Sequence, residues 1–160
     1  MNANTLNCRK HPELASVFQL REGRHLSDED LDLVLRFYPQ LTLEVEAARA
    51  IRECANGVVK RVVQEIFAQY PYEQMHENAL AKCPRDIGYV VAYAVQAMLS
   101  ADPEWFDNKV LVWLKTILQS FDFPERTRSS AQALFSDPEL EEHLGRLPKR
   151  SRSTFHTYYR

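Results

Sequence analysis

Residues 83 to 89 read "CPRDIGY" and hold a thiol at Cys83, a guanidinium at Arg85, a carboxylate at Asp86 and a phenol at Tyr89. At roughly 100° per residue these four fit within an arc of about 160° of one helix, so they can face one ligand together. Each has an ordinary structural role when taken singly. A lone cysteine is a small core hydrophobe, charges near a helix start are usually solvated, and a tyrosine commonly packs its ring and leaves its hydroxyl wet.

Taken together, the set asks for a ligand that accepts addition of a thiol, offers N–H donors to a carboxylate and carries anionic groups for a guanidinium. An open-chain tetrapyrrole meets those requirements. The sulfur would join an ethylidene or vinyl carbon of the first ring, the carboxylate would take the inner pyrrole N–H groups, and the arginine would fork a propionate. A carboxylate close to the pyrrole nitrogens also favours the protonated, cationic pigment, because an opposite charge stabilises the charged form.

The elements that must position these residues are helical. Eight prolines against four glycines fall at intervals suited to helices. Proline is tolerated in a first turn and breaks an interior. Pro12, Pro103, Pro124 and Pro138 are therefore expected to start helices, and Pro39 and Pro71 to stop them. Ser27 with Asp30 has the spacing of a capping box for "DEDLDLVLRFY". Apolar residues recur at three and four through Phe106, Val110, Trp113, Leu114, Ile117 and Phe121, and again between about 43 and 70 through Ile51, Ala55, Val58, Val59, Val62, Ile66 and Phe67. Alternating strand patterns of useful length are absent, so six to eight helices packed as one all-α domain are expected.

Composition narrows the function classes. At 160 residues the chain is long enough for one core, and its 45% hydrophobic and 26% charged content is that of a globular protein. A net charge of −2 gives no reason to expect a nucleic-acid partner. No apolar run approaches the roughly 20 residues of a membrane span, and "MNANTLNCRKHPEL" lacks the apolar core of a signal peptide, so the chain is expected to stay where it is made. Cys8, Cys54 and Cys83 fit neither a disulfide framework nor a paired metal motif, as expected of a reducing cytoplasm. No glycine-rich phosphate loop appears and no histidine stands near Cys83, so an enzyme is not expected. A haem globin is disfavoured too, because no histidine occurs between His76 and His143.

The stretch "AKCPRDIGY" resembles the chromophore helix of the phycobiliproteins, the globin-like bilin proteins of cyanobacterial and red-algal antennae, in which a CxRD motif attaches and cradles the pigment. It is especially similar to the form found in phycocyanin α subunits. The likeness continues through "AYAVQAMLSADP" and "VLVWLK", and upstream "GRHLSDEDLD" resembles the family's GRYLS stretch. The resemblance implies a globin-like helical domain with an N-terminal helical extension: extension over 1–26, globin-like core over 27–160, a single domain over 1–160. It also implies that Cys83 bears a thioether, Asp86 bonds the two middle pyrroles, Arg85 and Lys82 reach propionates, and Tyr89 and Phe121 line the pocket. The cofactor expected is a linear tetrapyrrole, phycocyanobilin first and biliverdin as the alternative. Expected partners are other phycobiliprotein subunits or a second copy, with a phycobilisome linker or a bilin lyase, at a cytoplasmic site peripheral to the thylakoid membrane.

Departures from the family pattern raise further expectations. Pro84 follows the cysteine directly, so the helix is expected to begin there, with Cys83 in the position of an N-cap residue and the new N–H groups favouring a propionate. The arginine and aspartate through which the family's α and β subunits pair are matched by Ala92 and Leu20, and with Val90 and Val91 this points to self-association through an apolar surface. The asparagine methylated in β subunits has no match in "YEQMHENAL", which weighs against a β-type chain. The alternative function is a chromophore-free globin-like adaptor that binds phycobilisome or photosynthetic proteins.

Overall fold

The computed structural model describes residues 16–19, 21, 23–71, 78–100 and 132–148. Among these residues there is helix and no strand, as the proline spacing and the apolar periodicity require. The helices are α1 (Asp28–Phe37), a short 3-10 turn (Pro39–Leu41), α2 (Thr42–Gln69), α3 (Ala79–Ser100) and α4 (Pro138–Gly145). Residues 16–19 and 132–135 are also helical. Expectations placed on Pro12, Pro103 and Pro124, on the stripe from Phe106 to Phe121, and on most of the N-terminal extension lie outside the described residues.

Local chemistry accounts for the ends of these elements. Asp30 N–H donates to Ser27 Oγ at 3.2 Å while Ser27 N–H donates to the Asp30 carboxylate at 2.8 Å, the reciprocal capping box expected for α1. Pro39 stops α1 and opens the 3-10 turn, and Pro71 follows the end of α2. Pro138 occupies the first turn of α4 behind Asp137, whose carboxylate accepts from the N–H groups of Glu139 (3.1 Å) and Leu140 (3.2 Å).

Helices α2 and α3 form the principal packing layer, with α4 laid on α2. Ile51, Ala55, Val58, Val62 and Ile66 supply the buried stripe of α2, and Val91, Ala94, Val95 and Met98 that of α3. Leu134, Phe135, Leu140 and Leu144 close the core from the C-terminal side. A small apolar cavity of about 10 Å³ remains where these meet, lined by Ile51, Val91, Ala94, Val95, Leu134, Phe135, Leu140 and Leu144. Ion pairs tie the helices at the surface. Arg49 and Arg52 of α2 bind Asp28 at the start of α1, Arg49 also holds Asp32 at 2.7 Å, and Arg52 donates to the Leu26 carbonyl at 3.0 Å.

The N-terminal end of α3 corrects one expectation. The helix starts at Ala79, ahead of Pro84, and Cys83 is its fifth residue instead of its cap. Asn78, at φ 65°, turns the chain into the helix, a left-handed conformation that asparagine tolerates. Its carbonyl accepts from the N–H groups of Ala81 (3.1 Å) and Lys82 (2.9 Å). Pro84 sits inside the helix because so near its start it removes only the bond to the carbonyl of Leu80, an exposed residue. The first turn of this helix therefore lies before Cys83, not after it.

A second correction concerns Val90, Val91 and Ala92. All three are buried within the chain, Val90 and Val91 in its core cluster, so they offer no apolar surface for self-association. Leu20 lies outside the described residues.

Candidate functional site on the third helix

The five described site residues share one end of α3 and divide between two environments. Cys83 is 6% exposed and belongs to the core cluster, one turn ahead of Ile87 on the buried stripe. Lys82 and Arg85 are exposed, Asp86 is half-buried and Tyr89 is 38% exposed. At about 100° per residue, Lys82, Arg85, Asp86 and Tyr89 occupy roughly 100° of the wet flank, and Cys83 stands about 60° beyond Asp86 at the edge of the core face. Phe121 lies outside the described residues.

Arg85 and Asp86 are engaged with each other. Arg85 Nε and Nη2 donate to Asp86 Oδ1 at 2.9 and 2.8 Å, and this contact raises the basicity of the guanidinium above its ordinary value. Their side chains are 52% and 28% exposed. An ion pair as wet as this is screened by water and weakly held, so either partner can exchange for a better-placed group. The guanidinium carbon of Arg85 also lies 5.9 Å from the centre of the Tyr89 ring, within cation–π range.

Two residues that the motif did not announce complete this flank. Gly23, at φ 70° in the "GRHLS" stretch, lies against Tyr89, and a Cβ placed on it would come within 3.2 Å of Tyr89 Cδ1. Gln96, buried in α3, donates through Nε2 to the carbonyls of Arg21 (2.8 Å) and Arg24 (3.1 Å), fixing that loop to the helix. The signal for Gln96 was available: an isolated amide in the apolar run "AYAVQAMLS" needs a buried partner.

The wider relationship of the chain follows from most of its length. The family model described as phycobilisome protein matches residues 21–140, three quarters of the sequence. The chain belongs to the phycobilisome protein family. Among curated proteins it is similar to the allophycocyanin β chain of Microchaete diplosiphon, 30% identical over 128 residues that cover 77% of this chain and 78% of that one. It is also similar to the allophycocyanin β subunit of Picosynechococcus sp. (30% identical; 74% and 76% covered). The allophycocyanin β chain of Cyanidium caldarium is 29% identical, with 71% and 74% covered. These relatives are β chains, so overall likeness runs to the subunit type that the region "YEQMHENAL" weighed against. Identities near 30% mark a divergent member of the phycobilisome family, all-α in every described segment. No helix among the described residues is long and apolar enough to cross a membrane.

Proposed function

We propose that this chain is a bilin-binding phycobilisome protein that attaches an open-chain tetrapyrrole through Cys83. The observation that carries the reading is the donor set on α3: a thiol, a carboxylate and two cations within five residues at one end of a helix, in a chain of the phycobilisome family. That set fits the group. Cys83 would supply the sulfur for a thioether, Asp86 would accept pyrrole N–H bonds, Arg85 and Lys82 would neutralise propionates, and Tyr89 would offer a wall, with Phe121 proposed as a further lining residue. When bound, a bilin supplies visible absorption, which the protein turns to emission or transfer by keeping the pigment from twisting.

The Arg85–Asp86 bonds do not oppose this reading. They hold two opposite charges ready on an exposed flank, where exchange for pigment groups costs little. The role proposed is light harvesting, energy transfer or light sensing, with no enzymatic activity. Phycocyanobilin is the first candidate and biliverdin the second. Partners would be other phycobilisome subunits, a linker or a bilin lyase, on the cytoplasmic side of a thylakoid membrane. A single domain spanning 1–160, with 1–26 as a helical extension, is the accompanying proposal for its organisation.

The test is coexpression with bilin-synthesis enzymes and a lyase, followed by denaturation and zinc-enhanced fluorescence of the protein band. Wild type should fluoresce and Cys83→Ala should be dark. A wild-type band that stays dark with every bilin and lyase supplied overturns the reading.

A second reading is favoured by a specific observation. Cys83 is turned to the core and the charges of Arg85 and Asp86 are answered by each other, as suits a pigment-free adaptor that keeps the family scaffold. Cys83→Ala separates the two: binding of phycobilisome proteins undiminished by it, in a wild type that carries no colour, supports the adaptor.

A further inference from the structure

We propose that Gly23, braced by Gln96, is the positioning residue for Tyr89 and, through Tyr89, for the Arg85 guanidinium. The loop ahead of α1 would thereby set the geometry of the candidate pigment flank on α3. The proposal deepens the bilin reading where the loaded protein is concerned, and its test in the unloaded protein is independent of it.

Three observations carry it. First, Arg85, Tyr89 and Gln96 fall within about 40° of one another on α3, so a single loop crossing that face can touch them in sequence. Second, Gln96 spends its amide donors on two carbonyls that bracket Gly23, those of Arg21 and Arg24. Arg21 is tied in turn to Asp30 by Nε at 2.7 Å, and Asp30 is the partner of the N-cap Ser27 in the capping box of α1. The loop is thus held from both sides, by α3 and by α1.

Third, Gly23 is the point where the loop meets the aromatic ring. Its φ of 70° is the left-handed conformation that glycine takes without steric cost. A Cβ there would lie 3.2, 3.5 and 3.6 Å from Tyr89 Cδ1, Cε1 and Cγ, along one whole edge of the ring. The ring must give by a few tenths of an ångström if that atom is added. Arg85 rests near the same ring at 5.9 Å and holds Asp86, so a displaced ring is expected to move the guanidinium and the carboxylate it contacts.

The experiment uses the full chain labelled with ¹⁵N, reading the Arg85 Nε–H resonance, assigned by its disappearance in Arg85→Lys. Gly23→Ala should shift that resonance. In a Tyr89→Ala background the same substitution should leave it in place, because backbone strain at position 23 persists there while the ring contact is gone. Gly23→Asn, which adds a Cβ and accepts positive φ more readily, repeats the measurement should the alanine variant not fold. An Arg85 signal unmoved by the added Cβ, or moved equally with and without the Tyr89 ring, overturns the proposal.

In protein loaded by coexpression, Gly23→Ala should bind as much bilin per chain by zinc fluorescence and lose native fluorescence per attached bilin. Unchanged native fluorescence would overturn the link to the pigment. A wild type that never takes up bilin overturns the functional reading above, and the resonance shift still decides the relay from Gly23 to Arg85.

Discussion

The junction of α2 with α4 and the N-terminal end of α3 both carry a carboxylate paired with an arginine, and they use the pair differently. At the junction, Arg61 donates to both oxygens of Asp137, at 2.7 and 2.9 Å, and to Glu139 at 2.8 Å. The Asp137 side chain is only 3% exposed and also caps α4. Arg61 holds the Asp137 carboxyl below its usual range, and the pair holds the guanidinium above its own. On α3, the pair is between adjacent residues, exposed, and next to a proline that breaks the helical ladder. Tertiary partners make the first pair part of the fold, whereas among the described residues the second is answered only from within its own helix.

The largest effect should come from the packed side of this comparison. Phe135 is almost fully buried where residues 132–135 meet α2 and α3. Phe135→Ala is expected to cost about 3–5 kcal/mol, since it opens a cavity beside the small void already there. The urea midpoint should fall steeply, and a loss below about 1 kcal/mol would show that this side is no better packed than the other.

Pro84→Ala probes the other side with the opposite sign. An alanine restores the N–H that can reach the Leu80 carbonyl and removes the ring from a helix interior. A gain of about 1–3 kcal/mol in urea unfolding is expected. No gain would mean that Pro84 lies where the helix already bends to accept it. Asp137→Ala should then cost about 1–2 kcal/mol as a lost cap, more than the same change at Asp86, whose pair is exposed.

What could be read from the sequence divides along the same line. The capping box at Ser27, the stops at Pro39 and Pro71, and the start at Pro138 are decided within four residues, so spacing reveals them. The site motif was legible as a set of functional groups, because thiol, guanidinium and carboxylate declare their chemistry wherever they stand. Their environments were not. Whether Cys83 faces core or solvent depends on how α3 rolls against α2, and Val90, Val91 and Ala92 looked like a surface for the same reason. The helix start at Asn78 escaped because a proline six residues later seemed the stronger signal, although a helix of 22 residues can bear one lost bond near its end. Gly23 and Gln96 act across more than 65 residues of chain, and only folding brings them to Tyr89 and to each other's loop.

The smallest effect expected is a dependence on pH, and it sharpens the comparison because it arises in the loop that Gln96 of α3 and Arg52 of α2 both hold. His25 lies between Gly23 and α1, with Nδ1 buried and unbonded. Burial, and secondarily the nearby positive charge of Arg52, hold its imidazolium below the ordinary range. The sign follows from linkage. A histidine whose folded value is lowered binds its proton more readily in the unfolded chain, so its favourable contribution is complete above about pH 6.5, the unfolded value, and is lost as pH falls toward the folded one. Stability of wild type should therefore decline between about pH 6.5 and 5 more than that of His25→Gln, and the difference between the two should close near pH 8. Asp137 declines in a separate window, since a carboxylate with a lowered value keeps its contribution down to about pH 4 and loses it below that. Parallel urea midpoints for wild type and His25→Gln across pH 5 to 8 would show that the loop carrying Gly23 is indifferent to protonation, and would leave the α2–α4 pair as the pH-sensitive joint of the fold.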